Sequence, residues 1–118
     1  MAGKAVTLLH NPRCGKSRQA LALLRERGIE PAIVEYLKTP LDAASLKRLL
    51  AQLGMTARQL LRKGEPAYKE RGLADPKLTD AALIAAMAAE PILIERPIAL
   101  AGARAVVGRP PERVLEVV

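Results

Sequence analysis

Leu9-His10-Asn11-Pro12-Arg13-Cys14-Gly15-Lys16-Ser17-Arg18 holds the only cysteine and the only histidine of the chain. What flanks this stretch decides the fold. Ahead of it, Ala5-Val6-Thr7-Leu8-Leu9 is an apolar run with a β-branched pair, too short for a helix and suited to a buried strand. Behind it, Ser17 to Arg27 sets Ala20, Leu21, Leu23 and Leu24 on one helical face, and Gly28 supplies the stop. Cys14 therefore falls in a strand-to-helix turn near a helix N-terminus. Unpaired N–H groups and the helix dipole favour an anion there, and hence a thiolate. Arg13, Lys16 and Arg18 bring positive charge to the same turn. A lone cysteine is by default a small buried hydrophobe, but this position points to a reactive sulfur beside an anion-binding loop.

Moving outward, Ala32-Ile33-Val34-Glu35-Tyr36-Leu37 reads as a second strand. Strand, helix and strand in this span form a βαβ unit, with a parallel pair and a right-handed crossover. Three helices follow with one start signal. Asp42, Thr56 and Thr79 are capping residues flanked by Leu41 and Leu46, Met55 and Leu60, and Leu78 and Leu83, the pattern of a hydrophobic staple. Thr56-Ala57-Arg58-Gln59 also fits a capping box. The first of these helices lines up Leu46, Leu49, Leu50 and Leu53 before Gly54; the third carries Leu83, Ile84 and Met87 and ends before Pro91.

Residues 64–77 mix prolines and glycines with charges and predict a loop with one helical turn, either a plain connection or a basic lid. Pro97 to Leu100 and Ala103 to Val107 predict a hairpin around Ala101-Gly102. Gly108-Arg109-Pro110-Pro111-Glu112 opens a last helix, with Val114, Leu115, Val117 and Val118 on its apolar side. The order gives an α/β fold: a mixed four-stranded sheet, βαβ then ββα, with a helical insertion over about 42–95 in one domain spanning 1–118.

At 118 residues the chain can bury a core without disulfides or metal. One cysteine excludes an internal disulfide or a cysteine-cluster zinc site, and one histidine argues against a histidine metal centre or a Ser-His-Asp triad. No metal is expected. The N-terminus lacks a secretory pattern, and the uncharged stretch Ala81 to Ala89 falls far short of the ~20 residues of a membrane span. A reducing cytoplasm is the expected compartment, with no membrane partner. The net charge of +7 is spread among acids, and Tyr36 and Tyr68 are the only aromatics, so a stacking platform for nucleic acid is missing. Small oxyanions suit the charge at least as well, nucleic acid stays a minor option, and the lack of a sticky aromatic surface predicts a monomer.

Four separated motifs add a resemblance. His10 to Arg18, Leu60-Leu61-Arg62-Lys63, Glu95-Arg96-Pro97-Ile98 and Gly108-Arg109-Pro110-Pro111-Glu112 resemble the ArsC family, the glutaredoxin-coupled arsenate reductases and their relatives. The spacing matches from the first strand to the last helix, and the tail Arg104 to Pro111 is most similar to the YfgD-like branch. The resemblance implies a thioredoxin-like fold, with Cys14 as the nucleophile that forms a thiol-arsenate adduct. It makes Arg62, Arg96 and Arg109 the oxyanion-binding arginines and His10 a histidine that helps set the cysteine's pKa. It brings in glutathione as co-substrate and glutaredoxin as the partner that resolves the mixed disulfide, with arsenite released and no cofactor bound. Arg96-Pro97 is expected to be cis by the same likeness.

The chemistry agrees independently. A tetrahedral oxyanion suits forked guanidinium donors, and a chain with one cysteine needs an external thiol to turn over. Among the twelve arginines, most are by default solvated surface charges, and His10 is by default a packed or capping residue. Asn11, Gly15, Lys16 and Ser17 make up the active-site loop; Lys16 and Ser17 orient it, or Ser17 only caps the helix. Phosphatase-type chemistry, with arginine six residues after the cysteine, is disfavoured because Ala20 stands there. Two alternatives stay open. One is an Spx-like, non-enzymatic redox-sensing regulator that binds RNA polymerase, although Ser17 replaces the second cysteine of its switch. The other is a glutathione-dependent thiol reductase with another substrate.

Overall fold

The computed structural model describes residues 5–118, and the N-terminal reading for residues 1–4 lies outside it. The described residues fall into two compact units. One comprises the N-terminal stretch to Thr39 together with Arg96–Val118, and the other is Pro40–Glu95.

The first unit is built on strands β1 (Val6–Leu9), β2 (Ala32–Val34), β3 (Ile98–Ala101) and β4 (Arg104–Val107). They form one mixed sheet in the order β2-β1-β3-β4. β1 pairs parallel with β2 (Leu8 opposite Ile33) and antiparallel with β3 (Leu8 opposite Ala99), and β3–β4 is a hairpin closed at Ala101 and Arg104. Gly102, at φ 61°, supplies the left-handed turn residue that hairpin needs. Helix α1 (Gly15–Glu26) returns the chain from β1 to β2, the crossover that a parallel pair requires. Gly28, at φ 74°, lies just past its C-cap. One sheet face, α1 and the C-terminal segment bury Val6, Leu8, Ala20, Leu24, Ala99, Ala101, Val106, Val114 and Val117 together. Each large side chain buried there contributes about 1.5–3 kcal/mol. This mixed sheet with helices and a helical insertion is the thioredoxin-like α/β topology that the sequence predicts.

Two elements depart from the sequence reading. β2 stops at Val34 rather than Leu37. Its partner β1 ends at Leu9, and the His10 N–H to Val34 O bond (2.9 Å) is the last of the pairing before the cysteine loop turns away. Beyond it the chain curls, with the Lys38 and Thr39 N–H groups both donating to Glu35 O. The last helix is a 3-10 helix, Pro111–Val117, rather than an α-helix. Its buried residues are Pro111, Val114 and Val117, and a spacing of three stacks them on one face of a three-residue turn.

The second unit holds α2 (Ala43–Leu53), α3 (Ala57–Leu60), α4 (Pro66–Glu70), α5 (Asp80–Ala89) and a 3-10 turn at Pro91–Leu93. The caps are those the sequence marks. Asp42 accepts from Ser45 N–H, Thr79 accepts from Ala82 N–H, and Thr56 with Gln59 forms a reciprocal capping box. Leu46, Leu49, Leu60, Leu83, Met87 and Leu93 are buried, with α5 packed against α2, α3 and the 3-10 turn. The single helical turn expected within 64–77 is α4. No helix among the described residues is long and apolar enough to cross a membrane.

Candidate active site

The cysteine loop is a network of short local bonds. The Asn11 side-chain oxygen accepts from Arg13 N–H (3.0 Å), while Asn11 O accepts from Cys14 N–H (2.9 Å), so one asparagine closes the turn twice. Asn11 N–H in turn donates to Ser17 Oγ at 3.1 Å, and both residues are buried. Ser17 therefore ties the start of the loop to the first turn of α1 and does not cap the helix. The N-cap is Cys14 itself, in extended conformation at φ −90° and ψ 122°. The Arg18 guanidinium holds Pro12 O at 2.9 Å. Gly15 opens α1, where an added Cβ meets nothing closer than Arg18 Nη2 at 3.8 Å; no steric need for glycine exists there.

This placement sets the sulfur's chemistry. Burial pushes the Cys14 thiol up, but the Ser17 N–H, the Arg96 side chain and the Lys16 N–H, all hydrogen-bonding to it, pull it below the ordinary thiol value. The net direction is down. Two donors are backbone N–H groups of the first turn of α1, and Arg96 comes from the far end of the sequence. Arg96 directly precedes β3, across a cis bond to Pro97. Arg109 lies just past β4, also ahead of a cis proline, and its Nη2 stands 4.0 Å from Cys14 Sγ. Its Nε donates to Arg96 O at 2.9 Å. Sequence reasoning assigned positive charge at the sulfur to Arg13, Lys16 and Arg18 as well. In the fold Arg13 and Lys16 are exposed and Arg18 serves the turn; Lys16 acts through its backbone.

His10 is buried just before the loop, its Nδ1 without a hydrogen-bond partner. Burial lowers its pKa foremost; Glu35 opposes this, while Arg25 and Arg18 add to the lowering. It lines a cleft of about 200 Å³ with Asn11, Pro12, Arg13, Glu35, Leu37 and Lys38, rather than standing among the groups that hold the Cys14 sulfur. Arg62 belongs to the second unit, where its Nη1 donates to Glu95 Oε1 at 2.8 Å and its Nε lies 3.3 Å from Glu65 Oε1.

The sequence reading took Gly108 only as the start of a motif and of the last helix, not as a packing position. An added Cβ would meet Val114 Cγ1 at 2.7 Å and Pro97 Cγ at 2.9 Å, and Gly108 N–H donates to Pro97 O at 2.8 Å. This close approach seats the residue before Arg109 against the proline after Arg96. The only sequence signal was a glycine ahead of two prolines. Among the described residues, no three of His, Cys, Asp and Glu come together to hold a metal ion.

A cysteine at a helix N-cap on a thioredoxin-like sheet, under two arginines that each precede a cis proline, marks a thiol-based oxidoreductase. The comparisons make the class specific. The ArsC family model matches residues 9–117, and the chain belongs to the ArsC family. It is 56% identical over 116 residues to the uncharacterized protein YfgD of Escherichia coli K12, covering 98% of each chain. It is 49% identical over 110 residues to an arsenate reductase of Neisseria meningitidis, covering 92% of this chain and 94% of that one. The solved structure of an arsenate reductase from Vibrio cholerae superposes with a TM-score of 0.96 at 48% identity, covering 99% of this chain and 100% of that one.

Proposed function

We propose that the protein reduces arsenate to arsenite, with Cys14 as nucleophile and with glutathione and glutaredoxin as the source of electrons. One observation carries this reading: Arg96 and Arg109 meet at the sulfur of a cysteine whose pKa is lowered. A thiolate under two guanidinium groups suits attack on an anion with several acceptor oxygens. Membership of the ArsC family and the likeness to relatives named arsenate reductases support arsenate as that anion, and the likeness to YfgD is consistent with the branch named by the motifs.

In this mechanism the Cys14 thiolate attacks arsenic(V). An As–S bond forms and an arsenate oxygen leaves as water after taking up a proton. Arg96 and Arg109 hold the oxyanion and offset the charge that grows on its oxygens. A glutathione thiol then attacks the Cys14 sulfur. The As–S electron pair leaves with arsenic, which departs as arsenite, and Cys14 is left as a mixed disulfide with glutathione. The chain's one cysteine cannot resolve that disulfide internally, so a second thiol, glutaredoxin, takes the glutathione and frees Cys14. Two thiols supply the two electrons. Asn11, Gly15, Lys16 and Ser17 hold the loop, and His10 supports its entry from β1. Arg62 enters as a third oxyanion ligand on the motif match. A thiol cycle of this kind fits a reducing cytoplasm.

The test is arsenite formation from arsenate with glutathione and glutaredoxin, with and without Arg96 and Arg109. Loss of turnover in Arg96→Ala and Arg109→Ala, with Cys14 still alkylatable, supports the reading. Turnover indifferent to both arginines contradicts it.

A further inference from the structure

The cleft of about 200 Å³ beside the cysteine loop lies wholly within the first unit. Its walls come from the loop itself and from the turn that follows β2, an edge strand of the sheet. In that turn Lys38 N–H donates to Glu35 O at 2.9 Å, and the buried Tyr36 anchors the segment between them. Lys38 Nζ is thereby held 3.5 Å from Glu35 Oε1. Arg13 brings a second cation from the loop side, and the exposed Pro12 and Leu37 add apolar surface. His10 Nδ1 is sealed from solvent, so recognition of a ligand falls to Arg13, Glu35 and Lys38.

The lining thus offers two cations and one carboxylate next to a reactive thiol. An α-amino acid head carries an ammonium and a carboxylate on one carbon, and it complements an acid and a base already side by side. The cleft is smaller than the ~300–1,000 Å³ of pockets that enclose a drug-sized ligand, so it admits one such head rather than a whole tripeptide. Glutathione has this head, a second carboxylate and a thiol between the two. Arg13 immediately precedes Cys14, their Cα atoms about 3.8 Å apart. An extended tripeptide reaches about 10 Å, enough for one molecule to fill the cleft and meet the sulfur. We propose that this cleft seats glutathione for the thiol step, its γ-glutamyl head between Glu35 and Lys38 and its glycyl carboxylate on Arg13. The inference rests on the reading of Cys14 as a thiol resolved by glutathione.

The same Cys14–glutathione disulfide forms without arsenate when the Cys14 thiolate attacks glutathione disulfide. One S–S bond forms, one breaks, and the departing glutathione takes up a proton. The experiment measures this rate relative to the rate with uncharged bis(2-hydroxyethyl) disulfide, which reports thiolate reactivity alone. The Lys38 and Glu35 side chains are 79% and 38% exposed, so each contact has the small worth of a solvated ion pair. Lys38→Ala and Arg13→Ala should each lower the ratio about threefold, and together about tenfold. Glu35→Gln separates binding from field. Removing a negative charge would raise the ratio through a general field effect on an anionic disulfide, whereas loss of the ammonium's partner should lower it about threefold. With a glutathione disulfide that lacks its amino groups, Glu35→Gln should no longer lower it. A ratio raised by Glu35→Gln, or ratios unchanged in all three variants, overturns the inference while the proposed function stands. Unchanged ratios with slower reduction of the Cys14–glutathione disulfide by glutaredoxin also overturn it, and give the cleft to the protein partner. If the unaltered protein makes no arsenite from arsenate, the functional reading fails and the disulfide ratios still decide the inference. If glutathione disulfide does not modify Cys14 at all, both fall.

Discussion

Arg109 Nε donates to the main-chain oxygen of Arg96 at 2.9 Å. The same guanidinium brings Nη2 to 4.0 Å from Cys14 Sγ. One arginine thus fixes the backbone of the other while both face the sulfur. The two are supplied by residues flanking a single hairpin, with β3 starting after Arg96-Pro97 and β4 ending before Gly108-Arg109. Lysine at Arg109 would keep the charge but offer no planar fork for both jobs. Arg109→Lys should therefore retain less than half of the arsenate kcat/KM. Arg109→Ala should lose about 10²-fold, as for the removal of one preorganised donor.

Arg96 lowers the Cys14 thiol pKa through its side chain, alongside the Ser17 and Lys16 N–H groups. Arg96→Ala should move the inflection of Cys14 alkylation to higher pH. The rate near neutrality should fall with the thiolate fraction. An unchanged inflection would remove Arg96 from the groups that lower the thiol. The same shift has a stability consequence. A thiol held below its unfolded value stabilises the fold fully above that value, near ~8.5, and loses this as pH falls through its folded pKa. Unfolding measured against Cys14→Ser should show wild type gaining relative stability from neutral to mildly alkaline pH.

His10 has the corresponding behaviour at acid pH. Burial holds its pKa below 6.5, so the folded protein prefers the neutral ring and the unfolded chain takes up the proton first. Stability from this source is complete above the unfolded value and falls as pH drops through the folded one. Denaturant midpoints below pH 6.5 should decline more steeply in wild type than in His10→Gln. Parallel declines would place the acid sensitivity elsewhere.

Much of the fold was legible in the local sequence, because the signals were local. Asp42, Thr56 and Thr79 cap the helices they were assigned, and a cap acts within three residues. The strand, cysteine turn and α1 followed from period and punctuation. The extent of β2 was not legible, since where a strand ends depends on where its neighbour stops pairing. The 3-10 form of the last helix lay in the three-residue spacing of Pro111, Val114 and Val117, masked by an equally acceptable α-helical pattern. At the site, the cysteine and its helix start were visible, whereas composition alone gave no reason to pick Arg96 and Arg109 from twelve arginines. Their choice came from the family motifs, and their convergence on Cys14 is a product of hairpin topology.

Two structural substitutions test the scaffold beneath the site. Ser17→Ala would leave Asn11 N–H buried without its 3.1 Å acceptor, at a cost of about 1–3 kcal/mol. Thermal unfolding would check this, and a change within error would mean that water replaces the hydroxyl. Gly108→Ala should cost about 1–3 kcal/mol through overpacking. Its new methyl group would press on Val114 and the Pro97 ring at 2.7 and 2.9 Å, both of which are buried. Gly15→Ala, whose added Cβ would meet only the Arg18 Nη2 end at 3.8 Å, an ordinary contact, should leave stability nearly unchanged and serves as the control.

The measurement that bears most directly on the proposed function is arsenite production from arsenate with glutathione and glutaredoxin, in wild type and in Cys14→Ser. Turnover in wild type that disappears in the variant is the predicted result. Absence of arsenite from wild type, with Cys14 still titrating as a thiol of lowered pKa, would contradict arsenate as the substrate and leave a redox protein acting on another partner.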